Sequence, residues 1–352
     1  MAELLDYLKR AVEDHASDLF IIAGGQVCVK CDKHMTPISA ERVFPQETER
    51  LIMGLYALAE RDPAAYLQRG DDDFALSVPG LARFRVNAYR QRGSLAAVVR
   101  IVAFHIPDWQ ALGIPERIMD LADTAHGMVL VTGTAGSGKS TTQACIIDRI
   151  NRTRECHIIT LEDPIEYLHR DQRSIVSQRE IAIDTENYLS ALRACLRQAP
   201  DVILLGEMRD AETIHTAMTA AETGHLLIAT LHTKGAVNTI DRIVDTFPAG
   251  QQEQVRAQLG MVLRTVVSQQ LLPGKDGELV PAFEIMHMNS AIRSLIRDNK
   301  THQIDNAIAA GGGEGMMTMD SSILSLYRAG KINAETAVGF ASSPEQMRRR
   351  MD

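Results

Sequence analysis

Between residues 128 and 150 the chain reads MVLVTGTAGSGKSTTQACIIDRI. A short apolar run, a glycine-rich octapeptide and an amphipathic stretch follow one another without a gap. Gly133, Thr134, Ala135, Gly136, Ser137, Gly138, Lys139 and Ser140 match the phosphate-loop pattern in full, and Thr141 leads into the next segment. Gly136 and Gly138 let backbone N–H groups turn inward around phosphate oxygens, where side chains would clash. The helix expected to begin near Lys139 adds the partial positive charge of its first turn. Lys139 is expected to reach the β- and γ-phosphates, and Ser140 to ligate Mg²⁺. The sequence has no NKxD-type guanine signature, so the nucleotide expected is ATP, with Mg²⁺.

From Gly127 onward, short apolar runs alternate with amphipathic stretches. The runs are MVLVTG (128–133), CHIITLED (156–163), DVILLGE (201–207) and HLLIATLHT (225–233). Helices are predicted over about 139–151, 186–197 and 210–222. Strands alternating with helices imply an α/β fold with a mainly parallel sheet. After about residue 288 the pattern is helical to the end, broken at Gly311-Gly312-Gly313.

The first hundred residues read differently, as α+β. Leu4, Leu5, Leu8 and Val12 form a helical stripe, and DLFIIAG (18–24) and QVCVKC (26–31) look like short strands. Residues 46–69 are helical in pattern, whereas 73–78 and 82–93 alternate as paired strands joined at Pro79-Gly80. In the second of these Phe84, Val86 and Ala88 share one face, with Arg83 and Arg85 on the other. The pattern breaks around Pro107, Gly113 and Pro115. The expected organisation is an N-terminal α+β domain (1–103), a linker (104–116), an α/β core (117–287) and a C-terminal helical region (288–352).

The formal net charge of −8 argues against nucleic acid as a partner, since such proteins show a basic patch or stripe. The N-terminus mixes charged and apolar residues at helical spacing, unlike a signal peptide, and no run approaches a membrane span. Five scattered cysteines suggest a reduced, cytosolic chain. Cys28 and Cys31 have the spacing of half a zinc site. No second pair completes it, and the expected reading is two residues of a short strand.

Ligands of parallel α/β sheets sit at the carboxyl ends of strands. Two strand ends here are acidic. One carries Glu162, Asp163 and Glu166; the other carries Glu207, with Arg209 and Asp210 just beyond. Glu207 stands where a metal-linked acid is expected, although Gly206 occupies the place of the usual Asp. Asp210 is expected to cap the following helix. His225 and His232 bracket the last apolar run, and seven strand residues span roughly 23 Å. They cannot share one metal ion, and their odd separation tends to place them on opposite faces.

GTAGSGKSTT, TLEDPIEYLH, VILLGEMRDAETI and TGHLLIATLHT, in this order, resemble the Walker A, Asp box, atypical Walker B and His box of secretion-type hexameric ATPases. PGLARFRVNAYRQRG, IDRIVDTFP and AIRSLIRDNKTHQI make the type IV pilus retraction ATPase family the closer resemblance, over nearly the whole chain. The relatives that extend pili or drive type II secretion usually carry a larger N-terminal region and a four-cysteine zinc element. This sequence shows neither, so retraction is favoured.

The resemblance implies a RecA-like P-loop ATPase core with a PAS-like N-terminal domain, assembled as a homohexamer. It implies an inner-membrane pilus platform protein as partner, and a paralogous retraction ATPase as a further one. The location implied is the cytoplasm, peripheral to the inner face of the membrane. Glu166 would activate water and Glu207 would position Mg²⁺ and water. Arg83, Arg85 and Arg100 would approach the phosphates, and His232 would sense the γ-phosphate while His225 serves interdomain coupling. Ile292, Arg293 and Leu295, in AIRSLIRDNK, would couple hydrolysis to work without touching nucleotide. A pilus-extension or type II secretion ATPase of the same superfamily, or an accessory assembly protein with little turnover, are the alternatives.

Overall fold

The computed structural model describes residues 2–31, 34–102 and 106–351, and it divides into two compact units. The first takes in Met1–His105 with the short segment Glu166–Leu168; the second takes in Ile106–Ile165 and His169–Asp352. The start expected for the linker, residues 104 and 105, lies outside the described residues.

The first unit runs α1 (Ala2–Glu13), β1 (Asp18–Ile21), β2 (Gln26–Cys31), β3 (His34–Arg42), α2 (Pro45–Leu58), α3 (Ala64–Arg69), β4 (Asp71–Val78), β5 (Ala82–Gln91) and β6 (Ser94–Val102). Its strands form one antiparallel sheet in the order β3-β2-β1-β6-β5-β4. Along β5, Ala82, Phe84, Val86 and Ala88 are buried while the arginines between them are not, as the alternation requires. The single helical stretch expected at 46–69 is two helices. Pro63 lacks an N–H and disfavours helical backbone at Asp62, so the chain breaks there and restarts with Pro63 as the cap of α3.

The second unit runs α4 (Glu116–Met119), β7 (Gly127–Thr132), α5 (Lys139–Thr153), β8 (His157–Glu162), β9 (Ile175–Glu180), α6 (Tyr188–Cys195), β10 (Val202–Leu205), α7 (Ala211–Glu222), β11 (Leu226–Leu231), α8 (Ala236–Asp245), α9 (Ala249–Val262), β12 (Leu263–Pro273), β13 (Leu279–His287), α10 (Ser290–Arg297), α11 (Ile304–Ala310), α12 (Met319–Arg328), α13 (Ala334–Phe340) and α14 (Pro344–Met351). The sheet order is β13-β12-β7-β11-β10-β8-β9. Every pairing is parallel except that of β12 with β13. The α/β class read from the sequence therefore holds. Strands β7, β10 and β11 are buried along their whole length. Helices cover both faces of such strands, so their sequences run apolar without alternation. Each fully buried Leu, Ile or Val contributes ~1.5–3 kcal/mol.

In the first unit β3 and β6 went unread, and in the second three strands did. β9 is only partly buried and carries Ser177, Gln178 and Arg179, and β12 breaks its apolar pattern at Gln269-Gln270. β13 lies beside β12 as its antiparallel partner. At β9, the edge of the sheet, the N–H groups of Val176 and Glu180 donate to the side chains of Asp171 and Asp184 at 2.9 and 2.7 Å. In the region read as linker, Ile106, Trp109 and Ile114 pack on the core of the second unit. The glycine break at 311–313 is a short 3-10 turn, Gly311–Glu314, rather than an open gap. No described helix is long and apolar enough to cross a membrane.

Helix α10 illustrates how burial redefines a sequence motif. Ile292 and Ile296 are fully buried in the core that also contains β11 and α9, and Leu295 is half-buried against it. Arg293 is exposed, but its Nε donates to the Gly260 carbonyl at 2.8 Å, and Arg297 pairs with its neighbour Asp298. A polar residue at Ile292 would therefore disturb the core itself. Ile292→Ala is expected to cost about 2–5 kcal/mol of unfolding free energy, and Leu295→Ala clearly less. Urea denaturation of the two variants, followed by circular dichroism, checks the order.

Candidate active site

The parallel strands deliver their ends to one edge of the sheet. Leu231 pairs with Thr132, Leu205 with Ala229, and Leu205 with Leu161, so the segments that follow leave the sheet side by side. They carry the glycine-rich loop, His232, Glu207 and Glu162.

The loop is tightly constrained. Gly133 has φ +146°, and a Cβ there would fall within contact distance of the Gln269 carbonyl oxygen and 2.5 Å from Ser137 Oγ. Gly138 has φ +86°, with Gln269 Nε2 only 2.8 Å from where its Cβ would lie. Gln269, on β12, thus packs against both ends of the loop, and its Oε1 accepts a 2.7 Å hydrogen bond from the Thr142 hydroxyl. Lys139 is buried, its Nζ donating to the carbonyls of Gly133 and Thr134 at 3.0 and 2.9 Å. Ser137 Oγ is buried and without a partner among the described residues. Thr134, Ala135 and Gly136 form the exposed rim, while Ser140 and Thr141 are half-buried in the first turn of α5. The cradle has the backbone freedom, the amine and the helix terminus that a polyphosphate needs.

The acidic end of β10 is equally close-packed. At Gly206 a Cβ would come 2.8 Å from the Tyr188 hydroxyl and 3.0 Å from the Leu161 carbonyl. This explains why glycine, not aspartate, precedes Glu207: the position faces the neighbouring strand and admits no side chain. The Gly206 carbonyl accepts from the Thr230 hydroxyl on β11. Glu207 is then held from two sides. Its Oε2 accepts from Arg209 Nε at 2.7 Å, and its Oε1 lies 3.4 Å from His232 Nε2. The hydrogen bond from Arg209 to this carboxylate raises the guanidinium's pKa. Tyr188 stays protonated, because burial and then the charges of Asp163 and Glu207 push its pKa up. Asp210 caps α7 as expected, accepting from the Thr213 N–H and hydroxyl.

At the end of β8, Glu162 accepts from the Thr160 hydroxyl at 2.5 Å and from Gln178 Nε2 at 3.1 Å. Asp163 and Glu166 are exposed, and Glu166 makes no hydrogen bond or ion pair among the described residues. Just beyond, burial pushes the pKa of His169 down to about 4, which keeps it neutral.

His225 and His232 flank β11 and belong to different surroundings. His232 is exposed beside Glu207, whereas His225 Nδ1 bonds to the Ala220 carbonyl at 2.9 Å, in the last turn of α7. That contact satisfies an end-of-helix carbonyl. In the first unit, Arg85 lies directly opposite Arg100 across β5 and β6, and Arg83 is on the same face. Arg100 pairs with the buried Asp18 at 3.0 Å. Cys28 and Cys31 Sγ approach the carbonyls of Gln26 and Asp14. No described group of three or more His, Cys, Asp or Glu residues could hold a metal ion. A Mg²⁺ held largely by phosphate oxygens and waters needs no such cage, and the Ser140 hydroxyl beside the loop fits that mode.

Gln269 and Tyr188 escaped the sequence reading. Both sit in segments without a nucleotide motif, and only the close approach to glycines reveals them.

The chain matches the type II/IV secretion system protein family over residues 2–311. It belongs to that family. It is 41% identical to the type IV pilus retractation ATPase PilT of Pseudomonas aeruginosa, over 97% of this chain and 99% of the relative. It is 48% identical to the twitching motility protein of Neisseria gonorrhoeae, over 80% of this chain and 76% of that one. Its fold is similar to a crystal structure of the pilus retraction motor PilT with bound ADP, with a TM-score of 0.89 at 44% identity, covering 98% of both chains.

Two substitutions test the packing argument. Gly133→Ala is expected to weaken binding of a fluorescent ATP analogue by more than about tenfold, because its Cβ cannot coexist with the Gln269 carbonyl. Gly206→Ala should leave binding nearly intact but lower ATP turnover roughly 100-fold by displacing Glu207, as steady-state phosphate release would show.

Proposed function

We propose that this chain is an ATP-hydrolysing motor of type IV pilus retraction, working as a homohexamer in the cytoplasm against an inner-membrane platform protein. The single observation that carries the chemistry is the phosphate cradle placed beside the Glu207–His232 pair at one sheet edge. The assignment to retraction is supported by the relative named a retractation ATPase, which aligns along nearly its full length.

In this reading Lys139 leaves its loop carbonyls to meet the β- and γ-phosphates, and the N–H groups of the loop and of α5 surround them. A bound Mg²⁺ would neutralise charge on the phosphate oxygens, with Ser140 as protein ligand and Glu207 holding its waters. Arg209 and His232 fix the Glu207 carboxylate in place, which suits it to orient rather than to take up a proton. Glu166, exposed and unengaged among the described residues, is assigned as acceptor of the proton from the attacking water. The water oxygen bonds to the γ-phosphorus as the bond to the β–γ bridging oxygen breaks, and ADP leaves carrying that electron pair. His232 touches Glu207, so it senses whether that carboxylate is engaged at the γ-phosphate side. Arg83, Arg85 and Arg100 remain assigned to phosphate charge, in keeping with their shared face.

The test is genetic and biochemical together. Lys139→Ala is expected to lower phosphate release by the purified protein about 100- to 1,000-fold. A strain carrying it should keep surface pili yet fail to retract them. Bald cells would point instead to pilus extension, and unchanged pili with normal twitching would refute the reading.

A further inference from the structure

The chain following His232 is fastened at each step. The Thr233 hydroxyl bonds to that of Thr239 at 2.7 Å, and the Gly235 N–H donates to Ser268 Oγ at 2.9 Å. The next N–H, that of Ala236 at the start of α8, donates to Glu284 Oε1 at 2.8 Å. Ser268 and Glu284 face each other across β12 and β13, so one cross-strand pair receives two successive N–H groups. Glu284 is buried, with 8% of its surface exposed. A carboxylate so placed needs donors, and helix starts supply them. Its other oxygen, Oε2, lies 3.5 Å from the N–H of Met319, the first residue of α12. The link continues. Asp320, next along α12, accepts from the N–H groups of Ser342 and Ser343 at 2.6 and 3.1 Å, immediately before α14.

Three helix starts are thus joined in series by two carboxylates. Beside the first lies a cavity of about 490 Å³ lined by Lys234, Gly235, Glu284, Asp305, Met319 and Phe340 among others. The cavity leaves room for α8 and the C-terminal helices to shift against each other, while the carboxylate keeps them linked.

We propose that Glu284 is a positioning residue that transmits the state of the His232 loop to the C-terminal helices α12–α14, by holding the starts of α8 and α12 on one carboxylate. Neither Glu284 nor Asp320 reaches the phosphate cradle. Glu284 acts on nucleotide only through the loop, and Asp320 acts only through α12. The proposal rests on the reading of that cradle as an ATP site. The second half of the helical region then registers what His232 meets at the sheet edge.

Hydrogen exchange of the full-length protein, with and without magnesium and either ADP or a non-hydrolysable ATP analogue, tests it. In the wild type, nucleotide should slow exchange at the glycine-rich loop, at 232–238 and at 316–322. In Glu284→Ala, the response at the loop and at 232–238 should persist and nucleotide Kd should stay within about twofold, whereas at least three-quarters of the response at 316–322 should vanish. If Glu284→Ala fails to fold, Glu284→Gln serves, because its amide keeps only one acceptor oxygen; it should lose at least half of the response at 316–322. A full response at 316–322 in the variant, or none there in a wild type whose loop responds, overturns the proposal. A wild type whose glycine-rich loop is unchanged by nucleotide overturns the ATP-site reading itself, and this inference with it.

Discussion

The contact between β12 and the glycine-rich loop governs the arrangement of the site. The Gln269 backbone carbonyl approaches Gly133 so closely that no Cβ fits, and the same residue's amide closes on Gly138. With both ends fixed, the intervening residues can only arch outward, and the first turn of α5 follows from the loop's end at Gly138. The hydrogen bond from Thr142 to Gln269 ties that helix back to the strand. A loop of small residues has high conformational entropy when free; here the sheet removes that freedom before any ligand arrives. The second close approach, at Gly206, performs the same service for Glu207. Three backbone positions without side chains thus set the locations of the amine and the carboxylate.

Much of this was legible in the sequence, and the reasons differ from residue to residue. The phosphate loop declared itself because its glycines answer to a steric demand that few other structures make. Strands β7, β10 and β11 were visible because both faces are buried and their apolar runs are unbroken. The cap at Asp210 followed from local chemistry alone. The polar edge strand β9 and the Gln269 interruption of β12 hid two strands, since hydrophobic period is silent where packing partners are polar or absent. Gln269, Tyr188 and Glu284 act through contacts between segments distant in sequence, which no spacing rule encodes. His225 shows the converse. The resemblance gives it interdomain coupling, and in the fold its Nδ1 bonds to the Ala220 carbonyl at the end of α7, a contact that its separation from His232 in the sequence does not show.

In the first unit, the pairing of Arg85 against Arg100 places two like charges on neighbouring strands. Such pairs are unfavourable unless something offsets them. The ion pair of Asp18 with Arg100 offsets part of it, and the register places Asp71 and Asp73 of β4 on the same face.

The capped edge at β9 carries a consequence for how copies of the chain can come together. In an open sheet, the outer N–H groups of the last strand are a template on which a further strand can crystallise, from the same chain or a stranger. At Val176 and Glu180 those donors are already consumed by Asp171 and Asp184. A second molecule approaching this edge would meet carboxylates in place of free amides. Growth of the sheet beyond β9 is therefore opposed at both of these positions.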